Sequence, residues 1–292
     1  MRANQGIRGP RPHASDTWVR PHTIWKLACP LLIGALVACS ALTNTSLAPA
    51  IEQLEQARRL GWGANEQATD FVALRRPARS THHTTYVFFE GDGQAWRNGG
   101  RSPPPDPTPR HSLALTLALE TQPQHSAIYI GRACQYVLHV PQKQVHCPKE
   151  KWSTGRFAPA YVEAVIDYLR PHVSQGGRTI FLGHSGGGSV ALLVAQTLRP
   201  TCVVTMASPI DTDRWTSSHG FDPLLGSLNP VKTLSRIPSE NRIHYYGSLD
   251  KLVPPGTTVP TEAFDRVRVL GNIGHSHGWL EFWRKIKEDP CH

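Results

Sequence analysis

Ser185 stands in Gly183-His184-Ser185-Gly186-Gly187, where the apolar run Thr179-Ile180-Phe181-Leu182 gives way to Val190, Leu192, Leu193, Val194 and Leu198 at helical spacing. The pattern G-x-S-x-G fits a nucleophile elbow, a strand–turn–helix in which flanking glycines leave room for a strained serine. A glycine-rich turn with an ordinary serine reads the same, so partners decide. A serine hydroxyl attacks well only when a base takes its proton, and the base needs an acid to hold its tautomer. Asp250 follows the strand-like run "IHYYGSLD", and His275 follows "VRVLGNIGH", 65 and then 25 residues further on. The set Ser185, Asp250, His275 would suit acyl transfer through a covalent intermediate. Asp211 or Asp213 is the alternative acid, and His277 the alternative base; with fifteen histidines in the chain, either histidine also reads as an ordinary loop residue. The oxyanion formed by attack needs two N–H donors. Gly186 supplies one, and Asp92, in "EGDG" after an early strand, the other, with Gly91 as the alternative. A carboxylate pointing inward would oppose the oxyanion, so the Asp92 side chain is expected to turn outward.

The elements that must position these residues are legible as an alternation. A helix is expected over Ile51–Leu60, a strand in "QATDFVALRRP" and a second in "TTYVFFEGDGQAW". After a proline-rich loop, "GGRSPPPDPTPRH", come helix Ser112–Glu120, strand Ser126–Ile130 and helix Ala158–Leu169, then the elbow. Strand Cys202–Met206, an irregular segment to Asn241, strands Arg242–Tyr246 and Arg266–Leu270 and helix Leu280–Glu288 complete the chain. Strands alternating with helices predict an α/β fold, a mostly parallel sheet with helices on both faces. The segment Asp211–Asn241 and the proline-rich loop are expected to border the pocket.

A chain of 292 residues with 39% hydrophobic content and eight tryptophans can bury a substantial core. Of its formal charge of +9, Arg2, Arg8, Arg11, Arg20 and Lys26 against Asp16 place +4 in residues 1–38, leaving +5 for the rest. That distribution, without a basic run, argues against a nucleic-acid partner. The run "LACPLLIGALVAC", Leu27–Cys39, is too short to span a bilayer and follows a basic region. Leu36-Val37-Ala38-Cys39 resembles the bacterial lipobox, which implies cleavage and lipidation at Cys39, with plain secretory cleavage or an uncleaved anchor as alternatives. The division expected is therefore a lipoprotein signal peptide at 1–38, a tether at 39–50 and one catalytic-type domain at 51–292. Lipid on Cys39 would hold it at the bacterial cell envelope, and Ser40 resembles the sorting signal for the outer membrane. Export permits disulfides. Cys134 with Cys147 is the favoured pair and Cys202 with Cys291 the second; four thiols are the alternative, and no CxxC or HxxH spacing supports a metal site.

From about Glu66 to Glu288 the chain resembles the α/β-hydrolase superfamily, and more narrowly a group of proteobacterial lipoproteins known only as α/β hydrolases. "FFEGDGQAW", "DPTPR", "ASPIDTDRW", "GSLNP", "GSLDKLVPP" and "GHSHGW" carry that likeness. In that group the catalytic histidine lies four residues before a tryptophan, which selects His275 before Trp279. Glu90 departs from many superfamily members, where a histidine precedes the glycine. The resemblance confers no substrate; the residues read as those of a serine hydrolase, a carboxylesterase or lipase-like enzyme acting without metal or organic cofactor on a small-molecule or lipid ester. Amidase or peptidase chemistry on the same three residues is the nearest alternative, and a non-catalytic lipoprotein on the same scaffold is another.

Overall fold

A computed structural model describes residues 48–64, 70–96, 102–137, 145–173, 177–259 and 266–291, all within one compact unit, Asn44–His292. The lipobox and the rest of the signal expected at 1–38, with Cys39, lie outside the described residues. In chain order the elements are α1 (Ala48–Arg59), β1 (Gly63–Ala64), β2 (Ala73–Arg76), β3 (Thr85–Phe89), α2 (Leu113–Leu119), β4 (Ser126–Ile130), α3 (Pro159–Leu169), β5 (Thr179–His184), α4 (Gly186–Leu198), β6 (Cys202–Met206), α5 (Thr212–His219), β7 (Arg242–Gly247), α6 (Pro255–Thr258), β8 (Val267–Leu270) and α7 (Trp279–Ile286). The first helix begins three residues before the expected Ile51, taking the last residues of the supposed tether.

The eight strands form one sheet in the order β1-β2-β4-β3-β5-β6-β7-β8. From β4 to β8 the strands are parallel, and β2 pairs antiparallel with β4, as β1 does with β2. The chain runs outward from β3 to β4, then returns past β3 to build β5 to β8 on its other side. β3 and β5 are thus neighbours, with Phe89 opposite Gly183, and their carboxyl ends open side by side. Open α/β sheets bind ligands at such a switch point.

Helices on both faces explain why the inner strands read as unbroken apolar runs, since every side chain meets a core. Val87 and Phe89 of β3, Phe181 of β5 and Val203 of β6 point to a core that includes Val165 of α3 and Val190 of α4. Their alternates Tyr86, Phe88, Ile180, Leu182, Val204 and Met206 pack with Leu54, Leu115 and Trp283 from α1, α2 and α7. Burying each of these larger side chains stabilises the fold by about 1.5–3 kcal/mol. The outer strand β8, Val-Arg-Val-Leu, is short and partly exposed, and Arg268 sets a charge on the sheet edge that discourages pairing with another chain.

The expected irregular stretch before Asn241 contains a helix. α5 starts at Asp211, whose carboxylate accepts from the N–H groups of Asp213 and Arg214, and stops at Gly220 with φ of 64°. Its apolar content is low, so periodicity gives little warning of it. Two disulfides join Cys134 to Cys147 and Cys202 to Cys291. The second ties the start of β6 to the segment after α7 across a sequence separation of 89 residues. A closed loop of that length stabilises by about 4 kcal/mol in the chain-entropy picture, or roughly 10 °C in Tm for a domain of this size. The double variant Cys202→Ala/Cys291→Ala is therefore expected to melt about 10 °C lower than the parent, and an unchanged Tm under oxidising conditions would show that the bridge does not constrain the unfolded chain.

Candidate functional site

Ser185 lies between β5 and α4 at φ 53° and ψ −131°, a region that non-glycine residues occupy only under strain. Neighbouring glycines make the turn possible. A Cβ on Gly183 would collide with the backbone of Gly187 and Gly188, and one on Gly187 with the carbonyls of Phe89 and Glu90. The first turn of α4 thus packs directly on the end of β3. The Ser185 N–H is held by the Met206 carbonyl at 2.9 Å. Gly186, the first residue of α4, has an N–H with no acceptor inside the helix.

The three widely spaced residues converge. Ser185 Oγ lies 3.1 Å from His275 Nε2, and His275 Nδ1 lies 2.9 Å from Asp250 Oδ2. Asp250 Oδ1 accepts from the N–H groups of Leu252 and Val253 at 2.8 and 2.9 Å, so both carboxylate oxygens are engaged. Burial pushes the Asp250 carboxyl up. The hydrogen bond and charge of His275, with the two N–H donors, outweigh burial and leave it below the ordinary aspartate value. Asp211 instead caps α5, and Asp213 pairs with Lys232 at the surface. His277 is exposed, two residues past His275.

Two further side chains fix the histidine. Trp279 Nε1 donates to the carbonyls of Gly274 and His275, both at 3.0 Å, which gives the histidine–tryptophan spacing a physical reason. His184 Nε2 lies 2.6 Å from the same His275 carbonyl oxygen. Burial, then the nearby His275, pushes the His184 pKa down to about 3, so this ring is neutral and donates from Nε2. His184 ends β5, a strand buried along its whole length, but its partner is 91 residues away and leaves no local signal.

The loop after β3 departs from expectation. The Asp92 side chain does not turn outward: its Oδ1 accepts from Arg132 Nη1 at 2.5 Å and its Oδ2 from Arg156 Nη1 at 2.7 Å. The reason is charge, because two buried guanidiniums offer the carboxylate more than solvent does. Burial pushes the Asp92 carboxyl up, but Arg156 and then Arg132 pull it below the ordinary range. Gly91 N–H donates to Glu90 Oε1 at 2.9 Å and is therefore occupied. Asp92 N–H has no hydrogen-bond partner among the described residues. Glu90 is itself buried, its Oε2 accepting from Ser112 Oγ and, at 2.9 Å, from the Tyr129 hydroxyl. Desolvation raises its pKa despite these donors.

These groups open onto a cleft of about 660 Å³ that reaches Ser185 and His275. Trp215 and Phe221 come from the segment after Asp211, and Pro109 and His111 from the proline-rich loop; Trp96 and Leu252 add further apolar surface. Among the described residues no group of three or more His, Cys, Asp or Glu side chains is placed to hold a metal ion.

No protein-family model matches the chain, and no curated protein sequence matches it. Solved structures do. A capsule O-acetyltransferase of Neisseria meningitidis serogroup A superposes with a TM-score of 0.51 at 13% identity, over 80% of this chain and 95% of that one. An α/β serine hydrolase without a lid from Xanthomonas campestris gives 0.47 at 12% identity, over 78% and 93%. An acetyl ester-xyloside bifunctional hydrolase from Caldicellulosiruptor lactoaceticus gives 0.45 at 17%, over 75% and 84%. At such identities the likeness is one of fold.

The state of Glu90 is open to a direct test. Well below the ordinary glutamate value both folded and unfolded chains carry the proton. Above it the unfolded chain ionises first, so the parent loses stability with rising pH until the folded carboxyl ionises too. Glu90→Gln removes that term while keeping an acceptor for Gly91 N–H. The Tm of the variant relative to the parent should therefore rise as the pH increases above about 4; a difference that stays flat or falls would show that the buried carboxyl is not disfavoured.

Proposed function

In a chain with the α/β-hydrolase fold, we propose that Ser185, His275 and Asp250 form the catalytic triad of a serine hydrolase cleaving carboxylic esters. The observation that carries the reading is the unbroken hydrogen-bond chain from Ser185 through His275 to Asp250, opening on the cleft. Ser185 Oγ attacks the ester carbonyl carbon as His275 Nε2 takes its proton. The resulting oxyanion receives the N–H groups of Gly186 and Asp92. Collapse breaks the C–O bond to the alcohol, which leaves with the proton carried by His275. Water then attacks the acyl-enzyme, losing its proton to His275, and the acid departs as Ser185 recovers its hydrogen. Asp250 holds Nδ1 protonated and stabilises the imidazolium in both halves. The apolar cleft walls, Trp96, Trp215, Phe221 and Leu252, suit the apolar part of such an ester.

We propose as well that lipid on Cys39, the residue that ends the lipobox-like sequence, holds the enzyme at the cell envelope. Fatty-acid labelling lost in Cys39→Ala would support this, and labelling that survives the substitution would remove it.

Labelling with a fluorophosphonate tests the triad. An adduct is expected on Ser185, absent in Ser185→Ala and lost in His275→Ala, and ester turnover should fall about 10⁴-fold in Asp250→Asn, where the imidazole is held in the wrong tautomer. Folded, disulfide-intact protein that takes no label would overturn the hydrolase reading in favour of a binding role. Faster release from a model amide than from the matching ester would make the enzyme an amidase.

A further inference from the structure

Asp92 sets a problem for the site just proposed. Its N–H is assigned to the oxyanion, yet its carboxylate lies against Gly186, the other donor: a Cβ on Gly186 would collide with Asp92 Oδ1 and Cγ and with Arg132 Nη1. A bare carboxylate so close to developing negative charge would work against the transition state, and low dielectric would strengthen the repulsion. The Asp92 side chain is only 14% exposed, and those of Arg132 and Arg156 are 5% and 3% exposed. Burying three charges together demands close pairing, and each guanidinium takes one carboxylate oxygen.

The arginines do not owe their places to Asp92. Arg132 Nη2 donates to the Arg156 carbonyl at 2.7 Å, and its guanidinium lies 4.9 Å from the Phe157 ring centre. Arg156 Nε donates to the Ser153 carbonyl at 2.7 Å, and its guanidinium lies 5.8 and 6.0 Å from the ring centres of Trp96 and Trp215. Cation–π contacts of this kind hold a guanidinium in a defined plane when it is shielded from water. The pair is thus a rigid frame with the carboxylate as its captive piece, and the three groups together carry one positive charge. The loop itself is held at both ends. Gln135 Nε2 donates to the Gly91 carbonyl at 3.0 Å, and Gln94 N–H to the Pro107 carbonyl at 3.0 Å.

Resting on the hydrolase reading above, we propose that Arg132 and Arg156 are positioning residues for oxyanion stabilisation: they anchor Asp92 so that its N–H serves the reacting carbonyl, and they cancel the charge of its carboxylate. Both act through Asp92: Arg132 does not line the cleft, and the Arg156 side chain, which borders it, is only 3% exposed. Their contribution is made in the transition state, so it belongs in kcat rather than KM.

The test compares three variants of the mature, disulfide-intact protein in ester turnover, with folding checked by circular dichroism. Arg156→Gln leaves the carboxylate half-compensated beside the oxyanion, and kcat should fall about thirtyfold with KM within about threefold of the parent. Adding Asp92→Asn keeps the N–H and the side-chain acceptor but removes the charge, so the double variant should recover at least about fivefold of the lost kcat. Asp92→Asn alone weakens the hold of the two arginines on the loop but adds no opposing charge, so its kcat should fall less than that of Arg156→Gln. A double variant no faster than Arg156→Gln would overturn the proposal, as would a loss that falls on KM alone. Where Arg156→Gln does not fold, Arg132→Gln takes its place: kcat within about threefold of the parent overturns the proposal, and a loss of about thirtyfold that Asp92→Asn partly restores supports it. A parent protein that takes no fluorophosphonate removes the hydrolase reading and this one together, whereas a labelled, active parent with the wrong variant pattern removes only this one.

Discussion

The close approach of α4 to the end of β3 is the constraint on which the rest of the site depends. A helix can begin one residue after a strand, and at hydrogen-bonding depth beside its neighbour, only where side chains are missing, and Gly183 and Gly187 provide that space. The approach sets Ser185 in its strained conformation and brings the first N–H of α4 beside the loop after β3. Because the chain doubles back between β4 and β5, that loop is spatially adjacent although nearly a hundred residues earlier. Nothing else in the fold would bring a helix start, a strand end and a second N–H donor to one point.

Three carboxylates lie around this point, and the fold treats each differently. Asp250 accepts from two main-chain N–H groups and one imidazole, an arrangement that favours the ion and aims one oxygen. Asp92 is held between two guanidiniums. Glu90 meets only neutral donors in a dry setting, and burial wins over them. The same functional group is thus kept charged and directional, charged and compensated, or disfavoured as an ion, according to its immediate partners. His184 follows the last logic in mirror image, since burial keeps a base neutral so that it can donate to the His275 carbonyl.

Much of this was legible in the residues themselves. Runs such as Thr85–Phe89 and Cys202–Met206 are buried on both sides, so composition alone marks them as strands, and the elbow glycines mark the turn. The runs that end at Asp250 and His275 singled out the two residues that the structure brings to Ser185. What escaped was of two kinds. α5 is mostly polar and owes its start to Asp211 and its docking to Trp215, a capping signal in Asp-Thr-Asp-Arg that outweighs weak periodicity. Pairing direction is not written in side-chain alternation, so the antiparallel β2 could not be told from a parallel strand. The second kind is long-range pairing. Arg132 and Arg156 lie 40 and 64 residues from Asp92, and no spacing rule links a guanidinium to a distant turn, which is why the carboxylate was expected to face outward.

The bridge between Cys202 and Cys291 has a topological side. It makes the backbone from β6 to the segment after α7 a covalent ring, and that ring contains both Asp250 and His275 but not Ser185. Asp250 and His275 are therefore strung on a closed loop that meets the strand before Ser185 through β6. A single peptide cut within the ring, for instance at the turn where Leu225 is 75% exposed, opens the ring without releasing a fragment. The nicked molecule remains one covalent piece, its β7, β8 and α7 held to β6 through Cys291 alone, so the bridge guards against loss of that segment after a cut as well as against unfolding.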